Sequence, residues 1–129
     1  MSDRSATAHA QPLYEIKANM FKSLAHPARI RILEILSANR QPTPVSEILS
    51  ATDIEATVLS QHLAVLRRHH VVKGQRVGNA VLYELSSPMI CELLLIARSF
   101  LVETLGAQRD QFDAVASLPP LPRNAAAGR

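Results

Sequence analysis

Between Ala56 and Tyr83 the chain carries no Asp or Glu, although it holds Arg67, Arg68, Lys73, Arg76 and the histidines His62, His69 and His70. The overlapping stretch Glu55 to Val72 reads EATVLSQHLAVLRRHHVV. Leu59, Leu63 and Leu66 recur at i, i+4 and i+7, which places them on one apolar stripe of a helix. Thr57, Ser60, Gln61, Ala64 and Arg68 fall on the opposite face, which is small, polar or basic. Such a helix has to lie at the edge of a core, with its outer face turned to solvent or to a polyanion. Solvation alone accounts for many polar helix faces, so this stripe needs support from what surrounds it.

That support comes from the order of elements. After His70, the runs Val71 to Val77 and Ala80 to Leu85 alternate as strands do, and Gly78-Asn79 is expected to supply the positive φ values of a two-residue hairpin turn. Upstream, Leu13, Ile16, Met20, Phe21 and Leu24 sit at helical spacing and predict a first helix ending near Ala25. Pro27 suits the first turn of the next helix, and Ala28 to Ala38 is rich enough in Ile and Leu to be the central core helix. Asn39, which tolerates a left-handed conformation, and Pro42 are expected to end it. Thr43 as N-cap and Pro44 at N1 are expected to start a short helix with Val45, Ile48 and Leu49 inward. Asp53 and Glu55 precede the basic helix, where carboxylates favour the positive end of its dipole. A short helix, a tight connection, a helix with a basic face and a hairpin together describe a mainly α fold with a small β-hairpin wing, a winged helix-turn-helix.

Ser87-Pro88 predicts a last helix, with Met89, Ile90, Leu93, Leu94, Ala97, Phe100, Leu101 and Leu105 at 3–4 spacing and the pattern continuing through Phe112 and Val115. This helix and the first carry more apolar surface than so small a core can receive. The expected outcome is a homodimer joined by Leu13, Ile16 and Met20 of the first helix and Met89, Ile90, Leu93, Leu94, Ala97, Phe100 and Leu101 of the last.

A length of 129 residues allows one domain, expected over 12–116, with disordered tails at 1–11 and 117–129. The formal charge of +3 matters less than the uneven placement of acids, because a local basic field is what attracts a polyanion. Cys91 is the only cysteine, which excludes an intrachain disulfide. The N-terminus lacks the apolar core of a signal peptide, and the longest apolar run, Leu93 to Ala97, is far below the roughly 18 residues of a membrane span. These features predict a cytoplasmic protein without membrane association. No nucleophile–base–acid set, phosphate-cradling glycine loop or carboxylate pair is present, so neither catalysis nor a cofactor is expected.

The segments FKSLAHPARIRILEIL, VSEIL, LSQHLAVLRRHHVV and GNAVLYEL together resemble the ArsR/SmtB family of winged helix-turn-helix repressors, over roughly Leu13 to Leu105. The resemblance implies a dimeric repressor of double-stranded DNA, with recognition helices in major grooves and wings on the flanking backbone. Thr57, Ser60 and Gln61 match positions the family uses against bases. Arg67, Arg68, Lys73, Arg76 and Asn79 are the expected backbone contacts. Ala56 stands where a polar residue is usual, and His70 where the family commonly has Gly.

The family's metal motifs are missing. Pro44-Val45-Ser46 replaces its Cys-Val-Cys type motif, and Ser87, Met89, Phe100 and Glu103 replace its Asp, His, His and Glu set. Because ligands must be Cys, His or carboxylate at converging positions, no metal is expected at either site. His62 is expected to pack or hydrogen-bond locally, and His69 and His70 to point in different directions. Cys91 is expected to serve packing rather than redox sensing. A small-molecule effector is left unassigned. The rival reading is a winged-helix module that docks a partner protein and whose basic face is incidental.

Overall fold

The computed structural model describes residues 10–116; the tails expected at 1–11 and 117–129 lie outside it except for Ala10 and Gln11, which are exposed and irregular. In chain order the elements are α1 (Leu13–Leu24), α2 (Pro27–Ala38), β1 (Thr43–Pro44), α3 (Val45–Ser50), α4 (Ala56–Arg68), β2 (Val72–Val77), β3 (Ala80–Leu85) and α5 (Pro88–Ala116). The strands form one antiparallel sheet in the order β1-β3-β2.

Pro27 opens α2 as expected, and the residue before it caps the helix: His26 Nδ1 accepts from the Ala28 N–H at 3.0 Å. Without such an acceptor a first-turn amide would be left to water. Ile32, Leu33 and Leu36 of α2 join Ile48 of α3, Leu59, Leu63 and Leu66 of α4, Val71 of the connection after α4, and Val72 and Tyr83 of the hairpin in the buried core. Burial of a side chain of this size contributes about 1.5–3 kcal/mol. The stripe read from the spacing of Leu59, Leu63 and Leu66 is therefore the face that seats α4.

One local expectation fails between α2 and α3, at Thr43-Pro44. Asn39 ends α2 as expected, with an extended rather than left-handed backbone (φ −94°, ψ 133°). Its Nδ2 donates to Thr43 Oγ1 at 2.9 Å and to Glu47 Oε2 at 3.1 Å, which draws the chain straight on. Thr43 and Pro44 then form β1, paired with Tyr83 and Leu82, and do not serve as N-cap and N1. Pro44 is itself the residue that precedes α3, extended and without a side-chain cap bond. A proline is tolerated there because β1 is an edge strand, which can spare an N–H.

α4 begins after Glu55 and ends at Arg68, and His70 turns the chain at φ 61° ahead of β2. Ser86 Oγ closes this turn from the far end of the hairpin, 2.6 Å from the His70 carbonyl and 3.0 Å from that of Val71. In the hairpin turn only Gly78 has positive φ (63°); Asn79 does not. Positive φ at the first central residue alone is the type II′ pattern, for which Gly is the favoured residue. Ser87 caps α5 as expected, its Oγ accepting from the Met89 N–H at 3.1 Å. Two compact units divide at Glu92/Leu93, inside α5. Among the described residues no helix is long and apolar enough to cross a membrane.

Candidate nucleic-acid interface

Burying Leu59, Leu63 and Leu66 fixes what α4 shows to the outside. Thr57, Ser60, Gln61, Ala64, Arg67 and Arg68 are all exposed, and so are Lys73 and Arg76 of β2 and Asn79 of the turn. Among the described residues, none of these four basic side chains is held in an ion pair; the salt bridge present joins Arg31 and Glu34 on the surface. Arg67 and Arg68 also stand in the last turn of α4, where a cation is favoured by the helix dipole whatever its partner.

Between α4 and the hairpin runs an open groove of about 770 Å³. It brings together Ser60, Ala64 and Arg67 of α4 with Asn79 of the turn, over a floor that includes Ser46. No carboxylate lines it. Thr57, Gln61, Arg68, Lys73 and Arg76 are exposed but do not line it. The rest of its lining is mostly apolar, with Pro44, Val45, Leu63, Val77, Val81 and Tyr83 beside these polar groups.

Behind the exposed face sits a group the sequence reading left incomplete. His62 is 7% exposed and accepts at Nδ1 from Arg29 Nε at 3.1 Å. Arg29 Nη1 also donates to the Ser23 carbonyl at 3.2 Å. The His26 ring lies 4.4 Å from that of His62, centroid to centroid. Burial, then the neighbouring His26 and Arg29, push the His62 pKa below its ordinary 6.5. His62 does hydrogen-bond, but to a helix distant in sequence rather than locally. His69 and His70 are exposed.

The residues expected to join two copies stand as follows. Leu13, Ile16, Met89, Ala97, Phe100 and Leu101 are exposed, and Met20, Ile90, Leu93 and Leu94 are half-buried. Phe21 and Leu105 of the expected stripes are exposed too, and so are Tyr14, Leu95, Ile96 and Val102 outside them, which widens the exposed apolar surface of α1 and of α5. Cys91 is half-buried. Among the described residues no group of three or more His, Cys, Asp or Glu side chains converges as metal ligands would.

A core helix, a short helix, a second helix with a solvent-facing polar side and a three-stranded antiparallel hairpin sheet define a winged helix-turn-helix transcriptional regulator. The chain belongs to the ArsR/SmtB family of these proteins. A helix-turn-helix domain model matches residues 24–75. The HTH-type transcriptional regulator Rv0081 of Mycobacterium tuberculosis is 50% identical over 97 residues, covering 74% of this chain and 83% of that protein. Its crystal structure superposes with a TM-score of 0.69 at 48% identity, covering 77% of this chain and 98% of the other. The transcriptional repressor SmtB homolog of Synechocystis is 33% identical over 76 residues, 59% of this chain and 56% of that protein. The solution structure of a homodimeric winged helix-turn-helix DNA-binding domain, Mb0332 of Mycobacterium bovis, matches with a TM-score of 0.66 at 27% identity, covering 81% of this chain and 91% of the other. These relatives, like the fold, are those of transcriptional regulators and not of enzymes.

Proposed function

We propose that this protein is a cytoplasmic repressor that binds an inverted-repeat operator in double-stranded DNA as a homodimer. The observation that carries this reading is the exposed surface between Ala56 and Tyr83, a stretch without Asp or Glu, with Arg67, Arg68, Lys73 and Arg76 free of ion pairs among the described residues. In it, Thr57, Ser60 and Gln61 read base edges in the major groove, and Arg67, Arg68, Lys73, Arg76 and Asn79 hold phosphates. The exposed apolar side chains of α1 and of α5 each support burial against a second copy. Homodimeric Mb0332 and the Synechocystis repressor are the relatives that favour assembly and repression.

Control in this reading does not run through the family's metal sites, since Pro44, Ser46, Met89 and Phe100 occupy ligand positions and cannot bind through thiolate, imidazole or carboxylate. The test is to select bound fragments from genomic DNA and measure their affinity, and that of random duplex, over a salt series with and without zinc or nickel. The reading expects selected inverted repeats, steep salt dependence and no response to metal. Binding of no duplex at any salt would favour the protein-docking alternative, and release of the operator by stoichiometric metal would reveal a site elsewhere.

A further inference from the structure

One guanidinium joins the three helices that meet behind the reading surface. Arg29, in the first turn of α2, reaches the Ser23 carbonyl near the end of α1 and the His62 imidazole in the middle of α4. Ser23 is itself buried and tied down, its hydroxyl donating to the Met20 carbonyl at 2.6 Å. Its carbonyl belongs to the last turn of α1, where carbonyls lack helical donors and need an outside partner. The planar fork of Arg29 serves that carbonyl and His62 at once, in a geometry that a lysine's single ammonium does not reproduce. Leu59, Leu63 and Leu66 decide which side of α4 is buried; His62 directly follows Ser60 and Gln61, so a hold on its ring steadies the helix beside those side chains and the direction in which they point.

The grip depends on one protonation state. His62 can accept at Nδ1 only as the neutral ring protonated at Nε2. A proton on Nδ1 would set donor against donor and two cations 3.1 Å apart. The groups that act on the ring are His26, from the cap of α2, and Arg29, and neither supplies a negative charge. Other charged groups on the packed elements are exposed and do not perturb it: Glu15, Lys17 and Lys22 of α1, the Arg31–Glu34 pair of α2, and Lys73 and Arg76 of β2. Among the described residues no carboxylate stands ready to stabilise a charged His62.

We propose that Arg29 is a positioning residue for DNA reading: by holding neutral His62 it steadies α4, seated by its leucines, in the orientation that aims Thr57, Ser60 and Gln61, and acidification releases the hold and weakens operator binding. The inference rests on the reading of α4 as the helix that meets DNA. Its sign opposes the general trend, since surface histidines that take up protons strengthen attraction to any duplex.

The experiment measures affinity for a selected operator fragment and for random duplex between pH 8 and pH 5, with circular dichroism reporting the fold at each pH. Wild type is compared with Arg29→Lys, Arg29→Gln and His62→Asn; the last keeps an acceptor near the Nδ1 position but cannot titrate there. Wild-type operator affinity is expected to fall on acidification, by up to about tenfold per pH unit for each protomer once His62 titrates, while random-duplex affinity holds or rises. His62→Asn should bind the operator near wild-type strength at pH 8 and lose the acid-induced fall. Arg29→Lys and Arg29→Gln should lose operator affinity already at pH 8 and keep random-duplex affinity. Identical operator profiles for wild type and His62→Asn would overturn the inference while leaving DNA recognition intact. A wild type that binds no duplex at pH 8 would instead overturn the reading of α4, and this inference with it.

Discussion

Gly74 stands opposite Tyr83 in the β2–β3 ladder, and the Tyr83 ring covers it so closely that a Cβ built on Gly74 would lie 2.8 Å from Cε1 and 3.0 Å from Cζ. Tyr83 also pairs with Thr43 of β1, so this ring sits where all three strands of the wing meet. Its position over a bare Cα lets Tyr83 be only 8% exposed in a sheet only three strands wide.

Gly74→Ala should therefore push the ring aside and loosen the sheet. A cost of about 1–3 kcal/mol is the usual consequence of overpacking a buried contact, reduced somewhat by the lower chain entropy of Ala in the unfolded state. Urea denaturation followed by circular dichroism measures it. A midpoint equal to that of wild type would mean that the Tyr83 ring moves without loss of packing.

His70→Gly should act in the opposite direction. His70 holds φ 61°, where a side chain costs about 1–2 kcal/mol, and the Ser86 hydroxyl contacts only backbone carbonyls there, which Gly retains. After the entropy that Gly adds to the unfolded chain, a net gain of about 0.5–1 kcal/mol is expected, read as a higher thermal midpoint. An unchanged or lower midpoint would show that the His70 imidazole compensates for its backbone.

Stability should decline in acid through His62. Its pKa is lowered in the folded state by burial first, then by His26 and Arg29, so the unfolded chain binds the proton more readily. The contribution is present in full above the unfolded value of 6.5 and is lost as pH falls from there through the lower folded value. Thermal midpoints of wild type and His62→Asn taken from pH 8 to pH 5 should separate below pH 6.5, with wild type falling further. Parallel curves would remove His62 as the cause.

Specificity and affinity should separate between two exposed side chains. Gln61 has the amide geometry for a paired contact with adenine, so Gln61→Ala should cost about 1–3 kcal/mol on the operator and little on random duplex. Arg76, in β2 near the hairpin turn, should meet phosphate, so Arg76→Ala should weaken both alike and lower the salt slope by about one. Two variants with unchanged binding would contradict placement of α4 in the groove.

Phe100→Glu tests assembly without touching the core, because Phe100 is 64% exposed in the single chain. The variant should fold normally, sediment as a monomer at concentrations where wild type is dimeric, and lose operator affinity with dimerisation. Burying an unpaired carboxylate between two copies is costly. A dimer of unaltered stability would place the interface elsewhere.

What the sequence alone determined was whatever depends on neighbours within about one helical turn or one hairpin. Leu59, Leu63 and Leu66 announced the buried side of α4, and with it the exposure of Thr57, Ser60 and Gln61, because helix geometry ties i to i+4 without reference to the rest of the chain. Ser87 and Pro88 started α5, and Gly78 turned the hairpin, for equally local reasons. Tertiary structure decided the rest. Thr43-Pro44 carries the local signature of a helix start, yet pairing with Tyr83 and Leu82 draws it into the sheet. Asn39 ends α2, but the extended backbone it takes there goes with its bonds to Thr43 and Glu47. Arg29 and His62, 33 positions apart, become partners only when α2 and α4 pack. Periodicity records which side of an element is buried, but the identity of the group facing a buried polar atom is settled by packing between distant segments, where an unpaired donor or acceptor is too costly to leave alone.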